Sequence, residues 1–295
     1  MKKLLFLLAL LPALVFAQKP TAKHVVWIGV DGLGAYAFDS YYNVQMPNLR
    51  NLMKEGAWTT HGNAVYPTIS APNWKAMFCS CTPDMHGFLD NDREPQIEPK
   101  FTSPHGYTDI FHVVRQAKPD AKIYAQVEWG DIDRYCDTLC LTRLTKVEDV
   151  DVTVETPRQA AALIKSEKPD FLFIHIDQAD HTGHSIGHRT PEYFRTVEDI
   201  DRQIGLIIQA IKDAGIFNET DIVITADHGG QGSGHGGKTE GEIKIPAIFA
   251  GPGIKKNFEI TDVYMQFDVA PTIAHMFGIT QMPQCWIGRC ANIFK

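Results

Sequence analysis

The sequence predicts an α/β fold with a mostly parallel central sheet and helices on both faces. Three observations lead there. Segments such as Val25–Val30, Phe171–Ile176 and Ile222–Ala226 are almost continuously apolar, as strands buried on both faces are. Longer stretches with helical apolar spacing alternate with them, the order of βαβ units. Three of the apolar runs also stop at an aspartate: Asp31, Asp177 and Asp227.

In chain order, His24–Val30 reads as a first buried strand ending at Asp31-Gly32. Pro47–Lys54 has helical spacing. Ser70–Phe78 is expected to be a helix with Ser70 at its N-cap and Pro72 in its first turn. Thr108–Ala117 follows as a short helix and Ala121–Val127 as a strand. Thr156–Ser166 opens on Thr-Pro and is rich in Ala, Leu and Ile, hence helical. Asp170–Ile176 is the next strand. Pro191–Ala214 is a long amphipathic helix stopped by Gly215. Strands over 221–226 and 245–250 and a helix over Asp268–Phe277 complete the pattern. The Gly- and Pro-containing region 83–107 is expected to be a loop insertion. With no repeat, low-complexity tract or long linker, residues 18–295 read as one domain.

Bulk properties narrow the function. At 295 residues and 44% hydrophobic, the chain can bury a large core. Net charge is −7 and no basic block or Lys/Arg stripe occurs, which argues against a nucleic-acid polymer as main partner. An acidic protein still takes an anionic substrate where metal ions dominate the local field. Lys2 and Lys3, the apolar run Leu4–Phe16 and Val15-Phe16-Ala17 form a signal-peptide pattern over residues 1–17. The run is short for a membrane span, and no cysteine follows it closely. The expectation is an exported protein, periplasmic or secreted, with no stable membrane anchor. Cys79, Cys81, Cys136, Cys140, Cys285 and Cys290 are then expected to form disulfides. Local bridges suit Cys136 with Cys140 and Cys285 with Cys290, whereas Cys79 and Cys81 are too close for an unstrained one.

Right-handed crossovers place residues 31, 177 and 227 along one sheet edge, where ligands of open α/β sheets gather. Asp227-His228-Gly229-Gly230 ends one strand, and Gly234-His235-Gly236 follows shortly. Carboxylate and imidazole suit a divalent metal such as zinc, and the glycines let the backbone turn tightly around it. At another strand end, Asp177-Gln178-Ala179-Asp180-His181-Thr182-Gly183-His184 offers two Asp/His pairs of equal separation. Asp177 with His181 competes with Asp180 and His184; the second pair is favoured, because Gly183 frees the backbone to turn His184 inward. His175 reads as a core or supporting histidine and His188 as solvated. In Tyr66-Pro67-Thr68-Ile69-Ser70-Ala71-Pro72-Asn73-Trp74, Ser70 has an ordinary reading as an N-cap. The same position suits a nucleophile, because helix N-termini favour an alkoxide and an incoming anion. Asn73 is then a donor to a developing oxyanion, and Thr68 is a rival nucleophile.

Together these pieces resemble the alkaline phosphatase superfamily, most closely its type I phosphodiesterase/nucleotide pyrophosphatase-like members. The matching runs are Val30-Asp31-Gly32, Pro67–Asn73, Asp180-x-x-Gly183-His184, Ala226–Gly229 and Gly234–Gly236, in the family's order, with Thr82–Gly87 similar to its Pro-x-x-His-Gly run. The resemblance implies that Asp31, Ser70, Asp227 and His228 hold one divalent ion and Asp180, His184 and His235 another, both usually zinc. It implies two ions roughly 4 Å apart, attack by Ser70 through a phosphoserine intermediate, and a phosphoryl oxygen held by Asn73 and the Ala71 N–H. The expected activity is hydrolysis of small phosphate esters. Serine as nucleophile, in Ser70-Ala71, looks more like the phosphomonoesterase branch than the diesterase branch, which usually has threonine. His235 also follows His228 sooner than in nucleotide pyrophosphatases. A sulfatase needs arginine where Trp74 stands. An inactive binding protein on the same fold is the alternative from another class, against which the intact ligand set argues.

Overall fold

A computed structural model describes residues 22–100, 108–147 and 152–295. The expected signal peptide lies outside the described residues, as does segment 101–107 of the expected insertion. Eight strands form one sheet: β1 (His24–Val30), β2 (Gly56–Asn63), β3 (Ile123–Val127), β4 (Arg143–Lys146), β5 (Phe171–Ile176), β6 (Thr220–Ala226), β7 (Lys244–Ala250) and β8 (Phe258–Glu259). Their order is β4-β3-β5-β1-β6-β7-β2-β8. Strands β4, β3, β5, β1 and β6 run parallel, and β7 is antiparallel to both its neighbours. Val30 of β1 aligns with Ile176 of β5 and Ala226 of β6. Asp31, Asp177 and Asp227 therefore leave three adjacent strands at one level.

The helices are α1 (Pro47–Glu55), α2 (Ser70–Cys79), α3 (Pro83–His86), α4 (Ile110–Ala117), α5 (Val152–Glu167), α6 (Gln178–Ser185), α7 (Pro191–Asp213), α8 (Glu240–Ile243) and α9 (Val269–Met276). Successive strand residues face opposite sides of a sheet, so β1 feeds two cores. Val25 and Trp27 pack with Trp74, Phe78, Phe111, Phe173 and Ile273, under α2, α4 and α9. Val26, Ile28 and Val30 pack with Leu49, Ile164, Ile200 and Ile204, under α1, α5 and α7. The prediction of a mostly parallel sheet covered on both faces therefore holds. Trp27 is fully buried and donates to Thr225 Oγ1 at 2.7 Å. Truncating such a ring to alanine costs about 3–5 kcal/mol.

Helix α7 shows how sequence sets an element. Thr190 Oγ1 accepts from Tyr193 N at 3.2 Å and Pro191 occupies the first helical position, a favoured start. Val197, Ile200, Ile204, Ile207 and Ile211 are buried at helical spacing. Gly215, at φ 73°, takes the left-handed conformation that ends helices.

Several elements differ from the sequence expectation. Helix α5 starts at Val152, with Thr156-Pro157 inside it rather than at its start; a proline there forfeits one ladder hydrogen bond. Ile69, not Ser70, is the N-cap of α2, and Ser70 is the first helical residue. No disulfide links the described cysteines. Cys140 Sγ instead lies 3.3 Å from Asp137 Oδ2 and 3.5 Å from His112 Nδ1, directed at α4 rather than bridged to Cys136. Among the described residues no helix is long and apolar enough to cross a membrane.

Candidate active site

Ser70 is where α2 meets the ends of β1 and β6. Because it opens the helix and does not cap it, its hydroxyl is turned to the strand ends. Ser70 Oγ lies 3.2 Å from His228 Nε2 and 3.5 Å from Asp31 Oδ1, and the residue is 5% exposed. Asp31 Oδ2 accepts from Trp74 Nε1 at 2.9 Å and contacts His175 Nε2 at 3.2 Å. The His175 Nδ1 accepts from Trp129 N at 3.4 Å, so its hydrogen is on Nε2 and it donates to Asp31. Those two donors saturate Oδ2 and leave Oδ1 facing Ser70. Trp74, at the position a sulfatase gives to arginine, is thus committed to orienting Asp31.

Three imidazoles face the same space. His228 Nδ1 contacts Gly229 O at 2.8 Å, His235 Nδ1 contacts Thr68 O at 2.8 Å and His184 Nδ1 contacts Ser233 O at 3.1 Å. A carbonyl only accepts, so each Nδ1 carries a hydrogen and each neutral ring presents a lone pair at Nε2. Those lone pairs face other lone pairs. His228 Nε2 is 3.2 Å from Asp227 Oδ2 and 3.5 Å from Asp31 Oδ1. His184 Nε2 is 3.3 Å from Asp180 Oδ2, and His235 Nε2 is 3.6 Å from Asp180 Oδ1. The Nε2 atoms of His184 and His235 are 2.9 Å apart. Asp180 Oδ1 and Asp227 Oδ2 are buried with no hydrogen-bond partner among the described residues. Two groups, Asp31–Asp227–His228 and Asp180–His228–His235, each bring three donor atoms within 4.8 Å of one another. Carboxylate oxygens and imidazole nitrogens so arranged suit divalent cations, and Nδ1–carbonyl contacts are the usual support for ligating histidines.

The electrostatics follow from burial. It pushes the Asp180 carboxyl up to about 9, helped by the charges of Asp31 and Asp177. Burial, then Asp31 and Asp180, raises Asp227 well above the carboxylate range. Burial, then His235, lowers His228 to about 3, and burial lowers His235. Burial also opposes ionisation of Asp31, but the His175 hydrogen bond and the charges of His228 and His175 outweigh it and hold this carboxyl well down. Without a cation the folded site therefore holds Asp180 and Asp227 in the protonated form, and a bound divalent cation would favour ionisation of both.

The structure brings together Asp31, Ser70, Asp180, His184, Asp227, His228 and His235. Of the two competing pairs, Asp180 and His184 lie one turn apart on α6, facing His235, while His181 is exposed. Gly183 acts differently from the expectation: it sits inside α6, and a Cβ there would lie 2.2 Å from the His188 ring. His188, expected to be solvated, is buried against Gly183 and Gly230 and contacts Tyr36 OH at 3.1 Å. Thr68 is spent on the loop, donating to Gly237 O at 2.9 Å and accepting from Gly236 N at 3.0 Å.

Asn73 also differs. Its amide donates to Pro67 O and Ile69 O, both at 2.7 Å, and accepts from Val65 N at 3.1 Å and Gln266 Nε2 at 2.6 Å. Both amide hydrogens are engaged, so the side chain braces the loop leading into Ser70. The amide that reaches the start of α2 is Asn91, whose Oδ1 accepts from Ala71 N at 2.9 Å. Tyr135 OH contacts Asn91 O and Asp92 O, both at 3.4 Å. The only hint of Asn91 in the sequence is the polar run Asp90-Asn91-Asp92 inside the expected insertion.

Comparison with known proteins gives matches in sequence and in structure. A family model described as type I phosphodiesterase / nucleotide pyrophosphatase matches residues 25–239. Venom phosphodiesterase of Macrovipera lebetinus is 25% identical over 228 residues, 72% of this chain and 26% of that protein. Human ectonucleotide pyrophosphatase/phosphodiesterase family member 1 is 23% identical over 241 residues, 76% of this chain and 26% of that protein. The chain thus spans about a quarter of the length of the curated relatives it matches. In structure, an inactive murine ectonucleotide pyrophosphatase / phosphodiesterase 5 in complex with AMP superposes with a TM-score of 0.73 at 15% identity, covering 88% of this chain and 96% of that one. A 2-O GAG sulfatase superposes at 0.71 and 16% identity, covering 90% and 73%. These structural likenesses show the shared fold.

Proposed function

The chain belongs to the type I phosphodiesterase / nucleotide pyrophosphatase family, and on that premise we propose that it is an exported, metal-dependent hydrolase of small phosphate esters, folded as one domain over residues 18–295. The observation that carries this reading is the convergence of three Nε2 lone pairs and buried carboxylates beside the hydroxyl of Ser70. Asp31, Ser70, Asp227 and His228 would hold one divalent ion, and Asp180, His184 and His235 a second, with zinc the best match to the donors. When bound, such ions supply charge to the attacking and leaving oxygens of a phosphoryl transfer.

The protein's own groups do the rest. Asp31 Oδ1 and His228 Nε2 fix the Ser70 hydroxyl and face its proton. Ser70 Oγ attacks phosphorus, the alcohol group departs with a proton, and a phosphoserine forms. Water then breaks the Ser70–phosphate bond, restoring the hydroxyl and releasing the phosphorylated product. The Asn91 amide, whose Oδ1 is fixed by the Ala71 N–H, would turn its own N–H groups to a non-bridging phosphoryl oxygen; Asn73 holds the loop entering Ser70 in place.

A diester is favoured over a monoester by the surroundings. The one cation on α2, Lys75, is turned away to Tyr135 O at 3.1 Å. A largely apolar cavity of about 570 Å³ is lined by Val65, Tyr66 and Pro67 of the loop entering Ser70 and by Thr82, Asp84 and Leu89. It offers room for a second organic group. Zinc-loaded protein assayed on bis-p-nitrophenyl phosphate and p-nitrophenyl phosphate tests the reading. Faster turnover of the diester is expected. Faster monoester turnover would move the assignment to a phosphomonoesterase, and no turnover of either with metal bound would overturn it.

A further inference from the structure

A second set of metal-type donors lies on the α4 side of the sheet, around His112, Asp137 and Cys140. His112 Nδ1 is 3.2 Å from Asp137 Oδ2, Cys140 Sγ is 3.3 Å from the same oxygen, and Sγ is 3.5 Å from Nδ1. Zinc bonds of about 2.0 Å to nitrogen and oxygen and about 2.3 Å to sulfur place tetrahedral ligand atoms roughly 3.3–3.7 Å apart. The three observed separations are close to that triangle.

The backbone under each donor is fixed independently. Asp109, fully buried at the N-cap of α4, accepts from His112 N at 2.8 Å through Oδ1 and from Asp137 N at 2.6 Å through Oδ2. Asp137 Oδ1 accepts from Leu139 N at 3.1 Å, leaving Oδ2 for the cluster. Arg115, on the next turn of α4, donates to Cys140 O at 3.1 and 3.2 Å. Ligands held this way before an ion arrives cost little reorganisation. The side chains of His112 and Asp137 are 18% and 9% exposed, so an ion can enter and a water can take the fourth position.

We propose that His112 Nδ1, Asp137 Oδ2 and Cys140 Sγ form a zinc-type site separate from the Ser70 cluster. Binding displaces the thiol proton to solvent and joins α4 to the segment before β4. That segment carries Tyr135, which contacts the backbone at Asn91 and Asp92, so the ion would pin one wall of the candidate active site.

Cobalt(II) substitution of the full-length purified protein tests the site without relying on turnover. The Ser70 cluster contains no sulfur, so a thiolate-to-cobalt charge-transfer band in the near ultraviolet reports a cysteine ligand. The band is expected in the native sequence, retained in Cys290→Ser and lost in Cys140→Ser and His112→Gln. Zinc content should fall by about one equivalent in the latter two. Absence of the band with Cys140 reduced, its persistence in Cys140→Ser, or isolation of Cys140 in a disulfide with Cys136 would each overturn the proposal. A lost band with unchanged zinc content would do so too. Because none of these readouts is catalytic, failure here leaves the hydrolase reading standing, and the converse also holds.

Discussion

His184 Nε2 and His235 Nε2 lie 2.9 Å apart although each ring's Nδ1 already contacts a backbone carbonyl. Two neutral imidazoles so arranged repel. Either one takes a proton or both bind a shared cation. With zinc at one hundred times its Kd, binding to the folded state alone adds about 2.7 kcal/mol of stability. At ~2–4 °C per kcal/mol, zinc should raise the midpoint of thermal unfolding by about 5–10 °C over chelator-treated protein. His184→Ala and His235→Ala should each remove much of that gain. An identical melt with and without zinc would show that the lone pairs are satisfied in some other way.

Ser70 and Thr68 are separable by their partners. Ser70 Oγ contacts only Asp31 and His228 among the described residues, whereas Thr68 Oγ1 holds Gly236 and Gly237 beside His235. Ser70→Ala should lower kcat by about 10⁴-fold or more and leave the metal content as in the parent protein. Thr68→Val should weaken metal affinity about 10–100-fold while kcat at saturating zinc survives. The reverse pattern, with Thr68 needed for chemistry and Ser70 dispensable, would move the nucleophile. Zinc titration followed by steady-state kinetics on each variant distinguishes them.

What was legible in the sequence depended on how local its cause was. Strands β1, β5 and β6 were readable because burial on both faces leaves an apolar run, and the common level of Asp31, Asp177 and Asp227 follows from parallel neighbours. Helix α6 was not, because Gln178–Ser185 is polar almost throughout and its shape serves ligand placement rather than an apolar stripe. Strand β2 alternates small, polar and aromatic residues and offers no run. The bracing role of Asn73 depends on Gln266, 193 residues away, and the burial of His188 depends on the missing side chains of Gly183 and Gly230. None of these distant contacts has a period or motif.

Asn73 and Asn91 give opposite expectations. Replacing Asn73 with alanine orphans the buried Val65 N and leaves Gln266 Nε2 only the backbone carbonyl at position 73, at about 1–3 kcal/mol for an unsatisfied buried group. Its signature is a lower unfolding midpoint, with kcat falling only through a loosened loop. Asn91 is exposed, so Asn91→Ala should leave stability within about 0.5 kcal/mol and lower kcat/KM by about 10²–10³-fold. Should Asn73→Ala stay as stable as the parent and lose activity alone, Asn73 would regain the oxyanion role that its place in the sequence suggests.

Asp221 is the second residue of the strand that Asp227 follows, at the end remote from Ser70. It is 2% exposed and its Oδ1 has no partner among the described residues. Burial pushes its carboxyl up to about 7, with Lys295 opposing, against about 3.9 in an unfolded chain. Between those values the folded protein keeps a proton that the unfolded chain has released. Stability from this group is therefore fully present below about pH 4 and is lost as pH rises through about 7. Asp221→Asn stays neutral throughout. It should match the parent near pH 4 and exceed it at pH 8 by on the order of a few kcal/mol. Urea unfolding of both proteins at the two pH values measures this directly, and parallel pH responses would exclude the buried proton. Because the strand separates Asp221 from the ligand cluster, zinc content and kcat should be the same in both proteins, so a stability gain from this change carries no cost in turnover.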